Sequence, residues 1–325
     1  MENFESKRIW AERKEPPPKI SFEFFFSGHE TAKDLENLKD AFDRADVYIP
    51  EVCGWSDEDV EVYQNISQGK MTPNSMAKKY GISKRSKVFK EMQILYKSEK
   101  PILIIDLPEK HELYVRYNKS LEIKDEALDQ FNQGGFREAL ELMHRFIEEF
   151  AEITEKREAF IKKNIEEQVE PFVQKSPQLK NKKEIKILLR LGAAHTTLSQ
   201  ALGIRGERIQ QTFSKMPYLF GADAEAKRRK IFNKPVSDEL VARALLEESL
   251  YPKLRRLTDD SQKLTELIQK ISQEFTIKDI KEISEDLEGD IIIEALKKRG
   301  VKIPESEEEI DKLLGLPKKI MHREH

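Results

Sequence analysis

The chain has 325 residues, of which 38% are hydrophobic and 36% charged, and its formal net charge is −3. That length suits one large domain with an appendage or two ordinary domains, with a densely charged surface. The acidic balance excludes a general attraction to nucleic acid or anionic membrane and leaves only a local basic patch open.

A single cysteine, Cys53, rules out a disulfide within the chain and suits a reducing compartment. The stretch 1–19 is charged and proline-containing and lacks the apolar core of a signal peptide. The longest apolar runs, such as 102–105, are too short to span a bilayer. A cytoplasmic protein without membrane attachment is expected.

In chain order, four short apolar runs read as buried strands: Ser21–Phe26, Val47–Val52, Pro101–Leu107 and Ile185–Leu191. Such runs suit a parallel sheet covered on both faces. Pro50 argues that the second run ends there or lies at an edge. Between them the periodicity predicts helices over Thr31–Ala45, over Ser86–Ser98, and over Asp125–Gln174 with a break at Gly134–Gly135. From Ser237 onward the reading is helical, over Asp238–Leu250, Pro252–Phe275 and Ile277–Leu287, while Ile291–Ile293 is compatible with a strand or a helix start. The expected fold is α/β, a central, mostly parallel sheet flanked by helices, with a helical C-terminal appendage. The expected division is an N-terminal segment 1–19, a core domain 20–235 and a helical region 236–325, the last a candidate contact for a second copy or a protein partner.

Two local patterns are set aside. Ala127–Leu142 has the spacing of a tetratricopeptide helix pair, but nothing similar recurs one repeat later. Ser75–Met92 looks like a helix-turn-helix whose lysines would suit phosphate contacts. A solvated charged helix with a turn at Gly81 is the preferred reading, and no nucleic-acid partner is expected.

The ionisable residues gather at the strand ends. The first strand runs into Gly28, His29 and Glu30, and the fourth into Gly192 and His195, each followed by threonine and a helix. The second ends in Glu51 and the third in Asp106. Ligands of open α/β sheets bind outside the carboxyl ends of the strands, and glycine lets the backbone approach a ligand closely. Two imidazoles and a carboxylate at one rim can ligate a divalent metal, or activate water and stabilise an oxyanion without one. Cys53 reads as a small buried hydrophobe, and His111, His144, His322 and His325 have no comparable context.

These motifs resemble those of the superfamily that joins erythromycin esterases, ChaN-type haem-binding lipoproteins and the TraB/TIKI group. Gly192-Ala193-Ala194-His195 matches its late Gly-x-x-His, Ala45–Glu51 its strand ending in Glu, and Arg157 in Ile153–Ile161 its helix arginine. The first motif departs from the pattern: Phe26 stands where a Gly-x-x-His would need glycine, which is found at Gly28. The resemblance covers roughly 20–215. It implies His29, Glu51 and His195 as catalytic groups or ligands of a divalent metal (Mn, Co or Zn) and Arg157 as a stabiliser of negative charge, while placement at the strand ends adds Glu30, Asp106, Gly28 and Gly192 in support. The expected function is a hydrolase acting on an ester, lactone or peptide carbonyl of a small molecule or peptide. The alternatives are a haem-like binding module without turnover and a regulatory interaction protein.

Overall fold

The computed structural model describes residues 18–27, 32–84, 86–192, 195, 198, 208–213, 220–258, 260–287 and 292–316. The chain divides into two compact units, residues 1–115 with 156–216 and residues 116–155 with 217–325. This split differs from the expected boundary at 235/236, because residues 116–155 and 217–235 group with the C-terminal helices.

The first unit is built on strands β1 (Lys19–Ser27), β2 (Val47–Ile49), β3 (Glu184–Gly192) and β4 (Arg208–Phe213). They form a parallel sheet in the order β2-β3-β1-β4, with Lys19 opposite Glu184 and Ser27 opposite Gly192. Alternation along a strand sends successive side chains to opposite faces, and here both faces are apolar. Phe22, Phe24, Phe26, Ile187 and Leu189 enter one core, together with Ile161, Ile165, Val169 and Val173 of a long helix. Phe25, Tyr48 and Leu188 enter the other. That second face is covered by helices α1 (Ala32–Arg44), α2 (Asp57–Ser67), α3 (Pro73–Tyr80) and α4 (Lys87–Leu95). Burial on both sides is why the first and last strand runs read as largely hydrophobic, interrupted only by Glu23 in the first and by Lys186 and Arg190 in the last.

Three expectations are corrected. Pro101–Leu107 is not a strand: it touches β2 only through the bridge Tyr48↔Ile102, while Trp55↔Pro108 is a second isolated bridge. Pro101 and Pro108 have no N–H to give a ladder, and the Leu107 N–H is taken by the Asp106 carboxylate at 2.8 Å. For the same reason β2 stops at Ile49, before Pro50, instead of reaching Val52. Strand β4, with its polar Gln210 and Gln211, was not expected at all.

The second unit is helical among the described residues. Helix α5 (Glu112–Asn132) and the 40-residue helix α6 (Phe136–Lys175) meet at the expected glycine break, where Gly134 adopts φ +88°. Residues 156–175 of α6 belong to the first unit. Then come α7 (Ala222–Ile231), α8 (Asp238–Leu254), α9 (Ser261–Ser272), α10 (Ile277–Glu285), α11 (Ile292–Lys298) and α12 (Glu307–Leu314). The Pro252–Phe275 helix is thus replaced by the end of α8, a 3-10 turn over Arg255–Leu257 and α9, and Ile292–Ile293 open a helix. Phe131, Phe146, Leu245, Leu246 and Ile280 centre this unit's core. No helix among the described residues is long and apolar enough to cross a membrane.

Candidate active site at the strand ends

Arg157 is the hub of the site. It lies on α6 one turn before Ile161, so the apolar stripe that seats the helix on the sheet carries the guanidinium to the rim. Asn164, two turns along, fixes the helix by donating to the Ile105 carbonyl at 2.8 Å. Arg157 grips Asp106 side-on, Nε to Oδ1 at 2.8 Å and Nη2 to Oδ2 at 2.5 Å. The same Nη2 reaches Glu51 Oε1 at 3.1 Å. Burial opposes the charged guanidinium, but the hydrogen bond and charge of Asp106, with Glu51 behind it, hold its pKa above the ordinary value.

Glu51 ties two strand ends together. It follows β2, and its Oε2 accepts the N–H of Gly192, the last residue of β3, at 2.6 Å. Its Oε1 lies 3.4 Å from His195 Nε2. His195 Nδ1 donates to Glu158 Oε1 at 3.1 Å, so the imidazole stands between two carboxylates. Arg157 Nη1 is also 3.3 Å from Nε2. Charge balance decides the protonation state. Three carboxylates (Glu51, Asp106, Glu158) face one guanidinium, a net charge of −2, and an added proton on His195 lowers that excess to −1. Burial favours the neutral ring, yet the hydrogen bonds to Glu158 and Glu51 outweigh both it and the repulsion from Arg157, and the pKa is pushed up to about 9. At neutral pH His195 is therefore a proton donor.

The structure brings Glu51, Asp106, Arg157, Gly192 and His195 together. Gly28, His29 and Glu30 lie outside the described residues. Sequence reasoning missed Glu158. It is one residue past Arg157, but along a helix rich in glutamate nothing marks it out. Cys53 is half-buried beside the cluster, and burial, only partly offset by Arg157, pushes its thiol up to about 11. At Gly54 the backbone adopts φ +80°, and a Cβ there would stand 2.1 Å from the Tyr114 ring, so both torsion and space require glycine.

The described donors do not fit a divalent metal. A cation shared by Glu51 and His195 would lie beside the guanidinium that already bridges them, and repulsion at such distances is severe in a buried site. Among the described residues no group of three or more His, Cys, Asp or Glu is arranged to hold a metal ion. A second buried polar cluster lies on the opposite face of the sheet, where Glu91 of α4 accepts from Tyr48 (2.7 Å) and pairs with Arg190.

No family model, no curated protein and no solved structure matches this chain.

Proposed function

We propose that the protein is a hydrolase of an ester, lactone or peptide carbonyl, working by acid–base catalysis at the strand ends. The observation that carries this reading is a buried histidine clamped between Glu158 and Glu51 and beside the fixed charge of Arg157. Such a pairing is of use where a proton must be delivered at a defined point. Water adds to the carbonyl carbon and Glu51 accepts its proton. The carbon–oxygen or carbon–nitrogen bond of the leaving group breaks, and His195 Nε2 supplies the proton that group takes up. Glu158 holds the ring by Nδ1, and Arg157, anchored by Asp106, stabilises the oxyanion. The Gly-x-x-His and strand-end Glu resemblance supports the same assignment.

The test is turnover of a panel of activated esters, lactones and peptides by the purified chain. Glu51→Gln and His195→Gln are expected to lower kcat by about 10²–10⁴-fold with unchanged circular dichroism. Turnover that survives both substitutions, or no turnover of any class, refutes the proposal.

A second reading rests on burial. Asp106 is 2% and His195 4% exposed, which suits a polar lock that fastens the strand ends of a binding or interaction protein. It predicts that no substrate class is turned over.

A further inference from the structure

Between residues 70 and 97 the sequence carries eight Lys or Arg and a single acidic residue, Glu91, in a chain whose net charge is −3. The structure removes that one acid from the surface. Glu91 is 3% exposed and points into the second core, bonded to Tyr48 and Arg190. Of the described basic residues here, Lys79 is matched by Glu58 of α2 at 3.0 Å, and no ion pair among the described residues engages Lys70, Lys78, Lys84 or Lys90. Among its described residues this segment therefore shows solvent lysines and no acid of its own, with Glu58 of α2 the carboxylate beside Lys79.

The shape under this charge is defined. Helix α3 has a capping box at Thr72 and closes on Gly81, whose φ of +65° ends the helix left-handed. Ile82 N–H returns to the Ala77 carbonyl at 2.9 Å, Ser86 N–H to Ser83 at 3.0 Å, and the Ser86 side chain caps α4. Met76, Ala77, Phe89, Met92 and Leu95 are buried and fix both helices on the first unit. The opposite side of α4 presents Lys87, Lys90 and Gln93 at helical spacing, with Lys97 exposed just past the helix end and Lys78 and Lys84 exposed on α3 and the turn. From Lys87 to Gln93 this side runs about 9 Å along the helix.

We propose that α3, its turn and α4 form a binding surface for duplex DNA, with α4 laid into the major groove and the lysines on flanking phosphates. A helix fits the major groove of B-DNA, whose width is about 12 Å, whereas the deep, narrow major groove of duplex RNA excludes side chains. Lysines contact the backbone without reading sequence, so the binding is largely non-specific. This departs from the expectation of no nucleic-acid partner, which rested on the net charge and on reading this stretch as a solvated charged helix. It is independent of the hydrolase reading, since none of these residues belongs to that site.

The test uses the full chain and a short, labelled, random-sequence DNA duplex, followed by fluorescence anisotropy across a salt series. Four phosphate contacts predict a slope of log K against log salt near −3.6. The variant Lys78→Gln/Lys84→Gln/Lys87→Gln/Lys90→Gln is expected to lose most of that slope and at least tenfold in affinity at low salt. Lys278→Gln/Lys281→Gln on α10 should bind as the unsubstituted chain does. Absence of binding at low salt, or equal binding by the fourfold variant, overturns the proposal. So does equal affinity for duplex RNA or heparin, which would mark a general polyanion surface. Sedimentation showing self-association that the fourfold variant abolishes overturns it too, in favour of a second copy of the chain as partner.

Discussion

Replacing Arg157 by methionine removes the only cation hydrogen-bonded to Asp106 among the described residues and keeps most of the side chain's length. Asp106 is 2% exposed, and the Leu107 N–H at 2.8 Å would be its remaining partner. Breaking one side of a buried ion pair costs about 3–5 kcal/mol, because the orphaned charge stays buried. Asp106→Asn leaves Arg157 its contact with Glu51 at 3.1 Å and should cost about 2 kcal/mol, the worth of hydrogen bonds to a charged group. Together the two substitutions are expected to cost about 2 kcal/mol less than their sum, since the double variant buries no unpaired carboxylate. Urea unfolding followed by tryptophan fluorescence measures this locally, because the Trp55 indole N–H donates to the Asp106 carbonyl at 2.6 Å. Additivity within about 0.5 kcal/mol would refute the view that Arg157 and Asp106 act as one buried unit.

The raised His195 pKa makes stability depend on alkaline pH. The contribution is complete below pH 6.5 and is lost as pH rises through about 9. Its size is about 3 kcal/mol at about 1.4 kcal/mol per pH unit, and urea midpoints of His195→Gln should be flatter over that window than those of the unsubstituted chain. Gly54→Ala combines a φ of +80° with a Cβ 2.1 Å from the Tyr114 ring, so a loss above about 2 kcal/mol is expected. In a Tyr114→Ala background only about 1 kcal/mol of backbone strain should remain, and calorimetric melting reads both. With its thiol pushed up to about 11, Cys53 should react with a disulfide reagent at pH 8 about a hundredfold more slowly than a free thiol; fast labelling would place it in a more polar setting than the one described.

The parts of the fold legible in the sequence are those where one physical demand acts alone. Phe22–Phe26 and Ile185–Leu191 carry large apolar residues on both faces because both faces are covered, and the glycine pair at 134–135 marks a helix end. The segment 101–107 misled because composition reports burial whereas a ladder needs donors, and two prolines and the Asp106 carboxylate remove them. Strand β4 was hidden by the opposite effect, since Gln210 and Gln211 interrupt the apolar run by which a buried strand is read. At the site, Glu51, Arg157 and His195 were legible through position at strand ends and through resemblance. Glu158 was not, since a helix carboxylate acquires meaning only once another segment places an imidazole beside it. The basic stretch 70–97 was legible as charge, but that its one acid turns inward required Arg190 and Tyr48, far away in sequence.

The strand order has a consequence for how the protein is made. Strand β1 is flanked by β3 and β4, and its first residue, Lys19, pairs with Glu184, about 165 positions later. At ribosomal rates of about 5–20 residues per second, β1 leaves the tunnel roughly 8 to 33 s before its neighbour exists. During that wait four phenylalanines, Phe22 and Phe24–Phe26, all buried in the finished sheet, have no native strand to pair with. Truncations that end before β3 are therefore expected to aggregate where the full chain does not, and a holding chaperone to suppress that aggregation.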